Sequence, residues 1–160
     1  MEIGIILGFL VIIGIAVAVG VSRNKKLVSE GKIIKRNISF IKSAETFTLT
    51  GGDFTNVVAA LKAMDISGIG VGWESKGETQ TVIFRSKHGW DAQLSALASD
   101  DEKYRYSFQF TRWQTSNGVP QRADTMNMLL TAIEKAFLSL DPNTQVTTAP
   151  IKVKTKSSFI

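Results

Sequence analysis

Tyr104-Arg105-Tyr106-Ser107-Phe108-Gln109-Phe110-Thr111-Arg112-Trp113 is the stretch on which the fold of this 160-residue chain turns. Tyr104, Tyr106, Phe108 and Phe110 alternate with Arg105, Ser107, Gln109 and Thr111. That alternation predicts a β-strand with one apolar face buried and one face in water.

Working back from this strand, three more candidates precede it: residues 69–74, 79–86 and 90–98. Turn-like separators join them: Ser75-Lys76-Gly77, Lys87-His88-Gly89 and Ser99-Asp100-Asp101-Glu102. Connections this short imply an antiparallel meander. Further upstream, Thr46-Phe47-Thr48-Leu49-Thr50 alternates with Phe47 and Leu49 on one side, and Gly51-Gly52 turns the chain. Asp53 is a suitable helix cap for the stripe Phe54, Val57, Val58, Leu61 and Met64, which Asp65 and Gly68 close.

Downstream, Met126, Leu129, Leu130, Ile133, Ala136, Phe137 and Leu140 form the best helical stripe in the chain. Asp124 is its expected cap and Asp141-Pro142 its stop, with Asn127, Thr131, Glu134 and Lys135 expected largely opposite the stripe. The order β-α-β-β-β-β-α predicts an α+β domain, a curved antiparallel sheet with a long C-terminal helix packed on it. This order resembles the TATA-binding-protein-like and helix-grip folds in element sequence alone, and the resemblance implies no function.

The N-terminus carries a different signal. Ile3 to Val21 contains no charged or strongly polar side chain, and Arg23, Lys25 and Lys26 follow at once. At about 1.5 Å per residue such a helix approaches the ~30 Å hydrocarbon core of a bilayer. Residues 1–22 therefore read as a signal-anchor transmembrane helix, followed by a basic juxtamembrane segment at 23–43, the domain at 44–145 and a basic tail at 146–160. Met1-Glu2 lacks the basic side chain a cleaved signal peptide wants, although Ala16-Val17-Ala18 imitates a cleavage site and keeps cleavage after Ala18 as the alternative. Small residues four apart, Gly4 and Gly8 among them, suit close helix pairing in lipid and hence a weak homo-oligomer.

Orientation follows from charge. Residues 22–42 hold seven Lys/Arg against one acid, Glu30. The positive-inside rule then leaves a short N-terminus outside and the domain in the cytoplasm. The absence of cysteine fits a reducing compartment.

The overall charge of +5 and pI near 9.6 raise nucleic acid as a partner, but the distribution argues against it. Residues 43–149 carry nine Lys/Arg against twelve Asp/Glu, so the domain is mildly acidic and the basicity sits in its flanks. Arg23, Lys25, Lys26, Lys32, Lys35 and Arg36 are accordingly assigned to anionic lipid headgroups. Between 27 and 41, Leu27, Ile34, Ile38 and Ile41 recur at helical spacing. An interfacial helix and a linker ending in a short edge strand both fit, since Gly31 and Asn37 interrupt the pattern.

Candidate chemistry is sparse, and the reading is of a non-enzyme with no cofactor and no metal. His88 is the single histidine, three residues from Asp91, and reads as a solvated turn residue rather than a base. Gly68-Ile69-Gly70-Val71-Gly72 leads from a helix into a strand, the reverse of a phosphate-cradling loop, so it reads as flexibility at a strand entrance. Asp100-Asp101-Glu102 lacks the spacing of a calcium loop. Two sites remain. Trp73, Trp90, Tyr106, Phe108 and Phe137 would line an apolar pocket under the last helix, the basis of a lipid- or ligand-carrier alternative. Arg105, Arg112 and Trp113, on the water side of the aromatic strand, would contact a protein partner, the preferred reading.

Overall fold

The computed structural model describes residues 25–100 and 103–152. The expected span over 1–22, with Gly4, Gly8 and Ala18, lies outside the described residues, as do Arg23 and the end of the basic tail. Among the described residues no helix is long and apolar enough to cross a membrane. The chain divides into two units, residues 1–35 and 36–160.

In the first unit, residues 25–29 are helical. The helix stops where Gly31 takes a φ of +64°, a backbone region open to glycine, and the amides of Lys32 and Ile33 bond back to the Leu27 carbonyl at 2.9 and 3.3 Å. No single helix therefore runs over 27–41. The chain extends beyond Lys32, and a 3-10 turn follows at Ile38–Lys42, with the Asn37 side chain accepting from the Ser39 amide at 3.2 Å. Ile38 stays exposed, whereas Ile41 is fully buried.

The second unit is the α+β domain. β1 (Ser43–Leu49) leads to α1 (Phe54–Lys62), which is capped by Asp53 through the Asn56 amide at 2.9 Å. β2 (Val71–Lys76), β3 (Thr81–Ser86), β4 (Asp91–Asp100) and β5 (Lys103–Arg112) form the expected antiparallel meander. A short hairpin, β6 (Thr115–Ser116) and β7 (Val119–Pro120), precedes α2 (Ala123–Leu140), and β8 (Gln145–Pro150) ends the domain. The six-stranded sheet has the order β2-β3-β4-β5-β1-β8, with every pair antiparallel.

β1 is interior, paired to β5 on one side and β8 on the other. Three elements depart from expectation. β8 occupies residues expected to be tail, and all six of its residues are exposed. Its unpatterned Gln-Val-Thr-Thr-Ala-Pro sequence hides it, because an exposed edge strand needs only backbone pairing and β-branched residues. Hairpin β6–β7 turns at Asn117-Gly118, both at positive φ, as a two-residue hairpin requires. Finally, Asp124 does not cap α2. Arg122 stands at the cap in left-handed conformation without a side-chain bond, and Asp124 sits in the first turn.

One apolar layer joins the sheet to both helices. Phe47 and Leu49 of β1, Val82 and Phe84 of β3, Ala92 and Leu94 of β4, and Tyr106, Phe108 and Phe110 of β5 meet Val57 and Leu61 of α1 and the stripe of α2. Seven aromatic side chains are fully buried. At about 1.5–3 kcal/mol for each large apolar side chain, they outweigh any surface ion pair, worth ~0–1 kcal/mol. Phe47 and Phe137 stack with centroids 4.3 Å apart, locking β1 to α2. Two polar ties fix the ends of α2. The buried Trp90 indole donates to Thr125 Oγ1 at 3.1 Å at its start, and Asp141 just past its end accepts from the Thr50 amide and hydroxyl at 2.9 and 2.8 Å. These bonds, with one from the Asn143 amide, hold the Asp141 carboxyl below the usual range.

Candidate functional site

The most concentrated polar chemistry of the domain lies between its first residue and α2. Asn127, Thr131 and Glu134 fall at i, i+4 and i+7 of α2 and so share one face. That face is not turned to solvent as expected: Thr131 is 1% exposed and Asn127 8%. Arg36 reaches onto it. Its Nη1 donates to Asn127 Oδ1 and to Thr131 Oγ1, the latter at 2.9 Å, and its Nη2 pairs with Glu134 Oε2. Both ion-pair side chains are largely buried. Arg36 is therefore committed to the interior of the domain and is not a headgroup contact.

Glu45 completes the cluster from the sheet. On β1 its side chain alternates inward with Phe47 and Leu49, and it is 6% exposed. Its Oε2 has no hydrogen-bond partner among the described residues. Burial first, then the charge of the Glu134 carboxylate, pushes the Glu45 carboxyl up to about 7, against the opposing pull of Arg36. Two acids facing one guanidinium in a dry site retain a proton, and the protonated Glu45 can donate to Glu134. The arrangement is a charge-balanced clamp that takes up or loses one proton near neutrality.

Other residues of the basic collar are differently placed. Lys26 and Lys32 flank Glu30 at 3.8 and 3.0 Å in exposed pairs, and Lys32 first among them holds the Glu30 carboxyl below its ordinary value. Lys25 and Lys35 are exposed.

The five rings expected around an apolar pocket pack instead on one another and their neighbours. Trp90 meets Phe110 edge-on at 5.8 Å, Phe84 meets Phe108 at 6.2 Å, and Tyr106 meets Phe137 at 5.5 Å. Trp90, Tyr106, Phe108 and Phe137 are fully buried, and Trp73 covers Phe84 from the sheet edge, half-exposed. These side chains are the core.

The partner-contact trio is divided by a bulge. Between β4 and β5 the register steps from Ala92↔Phe110 to Asp91↔Arg112, leaving Thr111 as an extra residue. Arg112 is thereby turned from the aromatic face to the opposite one, where its Nε and Nη2 pair with Asp91 at 2.8 and 3.3 Å. The same step turns Trp113 inward, half-buried against the core. Arg105 remains exposed, as expected. Asp91 is thus the partner of Arg112 and not of His88, whose amide bonds Ser86 Oγ at 3.1 Å. Gly70 lies so close to that turn that an added Cβ would stand 2.5 Å from Lys87 Cε, and its φ of +68° independently calls for glycine. Of the glycine run, Gly70 serves this packing, while Gly68 and Gly72 border open space. Among the described residues no group of three or more His, Cys, Asp or Glu could hold a metal.

The sheet face away from the helices has a consistent character. Paired rows place Ala149, Ala44, Gln109, Gln93 and Ile83 side by side, and Thr147, Thr46, Ser107 and Ser95 in the next row. Charge appears around this field, in Arg105, in Lys76 at the β2 end of the second row, and in the pairs Arg112–Asp91 and Arg85–Glu74.

No protein-family model matches the chain, and a search of curated proteins finds none similar to it.

Proposed function

We propose that this chain is a single-pass membrane protein with its N-terminus outside and its α+β domain on the cytoplasmic side, where the domain acts as a non-catalytic module that docks a protein partner. The observation carrying the docking half is the uncharged, half-exposed sheet face of Ala44, Thr46, Ser95, Ser107, Gln93 and Gln109. An uncharged centre rimmed by Arg105 and by ion pairs matches the anatomy of protein interfaces, whose cores are depleted of charge. The anchoring half rests on the apolar run over 3–21 and the basic residues behind it. A tether of this kind concentrates the domain at the membrane, with Lys25 and Lys35 available to anionic headgroups.

Two experiments test the two halves. A reporter that is active only in the cytoplasm, fused after Ile160, is expected to be active; activity of an exported reporter there overturns the orientation. A photo-crosslinker placed at Ser107 or Gln109 of the full chain in cells is expected to give one discrete protein adduct that the substitution Ser95→Arg, on the neighbouring strand, abolishes. Equal labelling from a crosslinker at Lys62 on α1, or no adduct from the sheet face, removes the docking reading.

A further inference from the structure

We propose that β8 is a proton-gated cover for β1: Glu45 in its protonated form keeps β8 in the sheet, and loss of that proton releases the strand. Glu45 lies in one cross-strand row between Phe108 of β5 and Thr148 of β8, on the helix side of the sheet. β5 is interior, but β8 is the outermost strand, and all six of its residues are exposed. β8 therefore closes the lateral side of that row. Lifting it makes β1 the edge strand and gives the Glu45 carboxyl a path to water. An exposed edge strand with few buried groups is the kind of element that opens at low cost while the core stays folded.

The charged groups facing Glu45 are Glu134 of α2 and Arg36 of the segment before β1, while its strand neighbours Phe108 and Thr148 carry no charge. Arg36 is already engaged by Asn127, Thr131 and Glu134, and Glu45 Oε2 has no hydrogen-bond partner among the described residues. An ionised Glu45 thus adds a second carboxylate to a nearly dry site that holds one guanidinium. Water at an opened edge relieves that cost, whereas a protonated Glu45, able to donate to Glu134, gains far less. The carboxyl titrates at about 7 in the closed sheet and toward its ordinary 4.5 once solvated, so the closed state binds more protons between those values. Raising the pH across that window favours opening, by at most about tenfold for each pH unit, and the effect levels off above it. The ends of β8 suit a hinged movement. Before it, the Thr144 hydroxyl lies 3.2 and 2.6 Å from the Phe137 and Asp141 carbonyls, and beyond it the Ile151 amide donates to the Lys42 carbonyl at 2.9 Å. Once open, β1 offers unpaired backbone to an extended segment.

This gate does not depend on the protein-docking reading. The test is hydrogen–deuterium exchange of the full chain in maltoside micelles between about pH 5.5 and about pH 7.5, resolved by amide and corrected for intrinsic base catalysis. Antiparallel alternation from the Ile151–Lys42 bond directs the Thr147 and Ala149 amides onto β1, so they report on β8. Their protection is expected to fall about tenfold or more across this range. It is expected to stay below that of the Ile133 amide in α2, which reports on global unfolding. Glu45→Gln, which keeps a donor and cannot ionise, is expected to abolish the fall. Glu134→Gln leaves Glu45 the only acid beside Arg36 and is expected to move the fall to lower pH. Protection of the β8 amides that is constant with pH, that equals that of Ile133, or that falls equally in Glu45→Gln overturns the proposal.

Discussion

Arg36 and Glu134 stand 98 residues apart in the chain and form an ion pair whose two side chains are both largely withdrawn from water. The pair joins the first residue of the compact domain to its longest helix. Asn127 and Thr131 share the same guanidinium, so the arginine is satisfied on the interior side while Glu45 lies close by with an unpartnered oxygen. A residue that reads as part of a basic collar is thus a fastening of the fold.

Removing one member of this pair strands the other. Arg36→Met is expected to destabilise the domain by about 2–4 kcal/mol, because an unpaired carboxylate in a nearly dry site costs more than the pair contributes. Pairing it with Glu134→Leu is expected to restore a large part of the loss. Denaturant unfolding of the two single variants and the double variant measures the coupling. Additive losses would show that the two side chains do not depend on each other.

Glu45 gives stability a slope with pH. Its folded carboxyl titrates near 7 and its unfolded one near 4.5, so the folded state binds more protons between these values. Stability is therefore expected to fall as pH rises from about 4.5 to 7 and to level off above, by about 1–2 kcal/mol once solvent screening is counted. Glu45→Gln keeps a donor toward Glu134 and carries no charge. It is expected to flatten that window and to be more stable than the parent at pH 8, as read from melting curves at several pH values. An unchanged slope would place the titration elsewhere.

Thr125→Val tests the tie at the start of α2. The substitution nearly conserves shape but removes the acceptor of the buried Trp90 indole N–H. A loss of about 1–3 kcal/mol is expected, with a shift in tryptophan fluorescence as the indole loses its partner. Thr125→Ser, which retains the hydroxyl, is expected to lose less.

β8 protects β1. Ending the chain after Thr144 exposes the backbone of a strand that carries Phe47 and Leu49. Such an edge invites pairing with another chain. The shortened protein is expected to melt lower and to self-associate with rising concentration by light scattering. Single lysine substitutions at Thr147, on the exposed side of β8, are expected to leave both properties unchanged.

Much of the fold was legible because burial leaves a period in the sequence. The alternation of Tyr106, Phe108 and Phe110, and the stripe from Met126 to Leu140, correspond to β5 and α2, and Asp53 caps α1 as read. Asn117-Gly118 is a hairpin signal, but the strands it joins are only two residues long, too short to show an alternation. The clamp had a fainter trace. Glu45 shares the inward parity of Phe47 and Leu49, and Asn127, Thr131 and Glu134 form a polar row on a helix face.

Sequence by itself determined the apolar stripes, the antiparallel meander, the terminal helix and the separation of basic flanks from an acidic domain. These depend on periodicity, turn chemistry and charge count, which are local. Tertiary structure decided the rest: that β8 closes one side of β1, that a bulge at Thr111 sends Arg112 outward and Trp113 inward, and that Arg36 joins α2. Such outcomes depend on which distant groups share one desolvated space. A charged side chain far along the chain has the same local pattern whether it ends in water or in a clamp, so only packing distinguishes them.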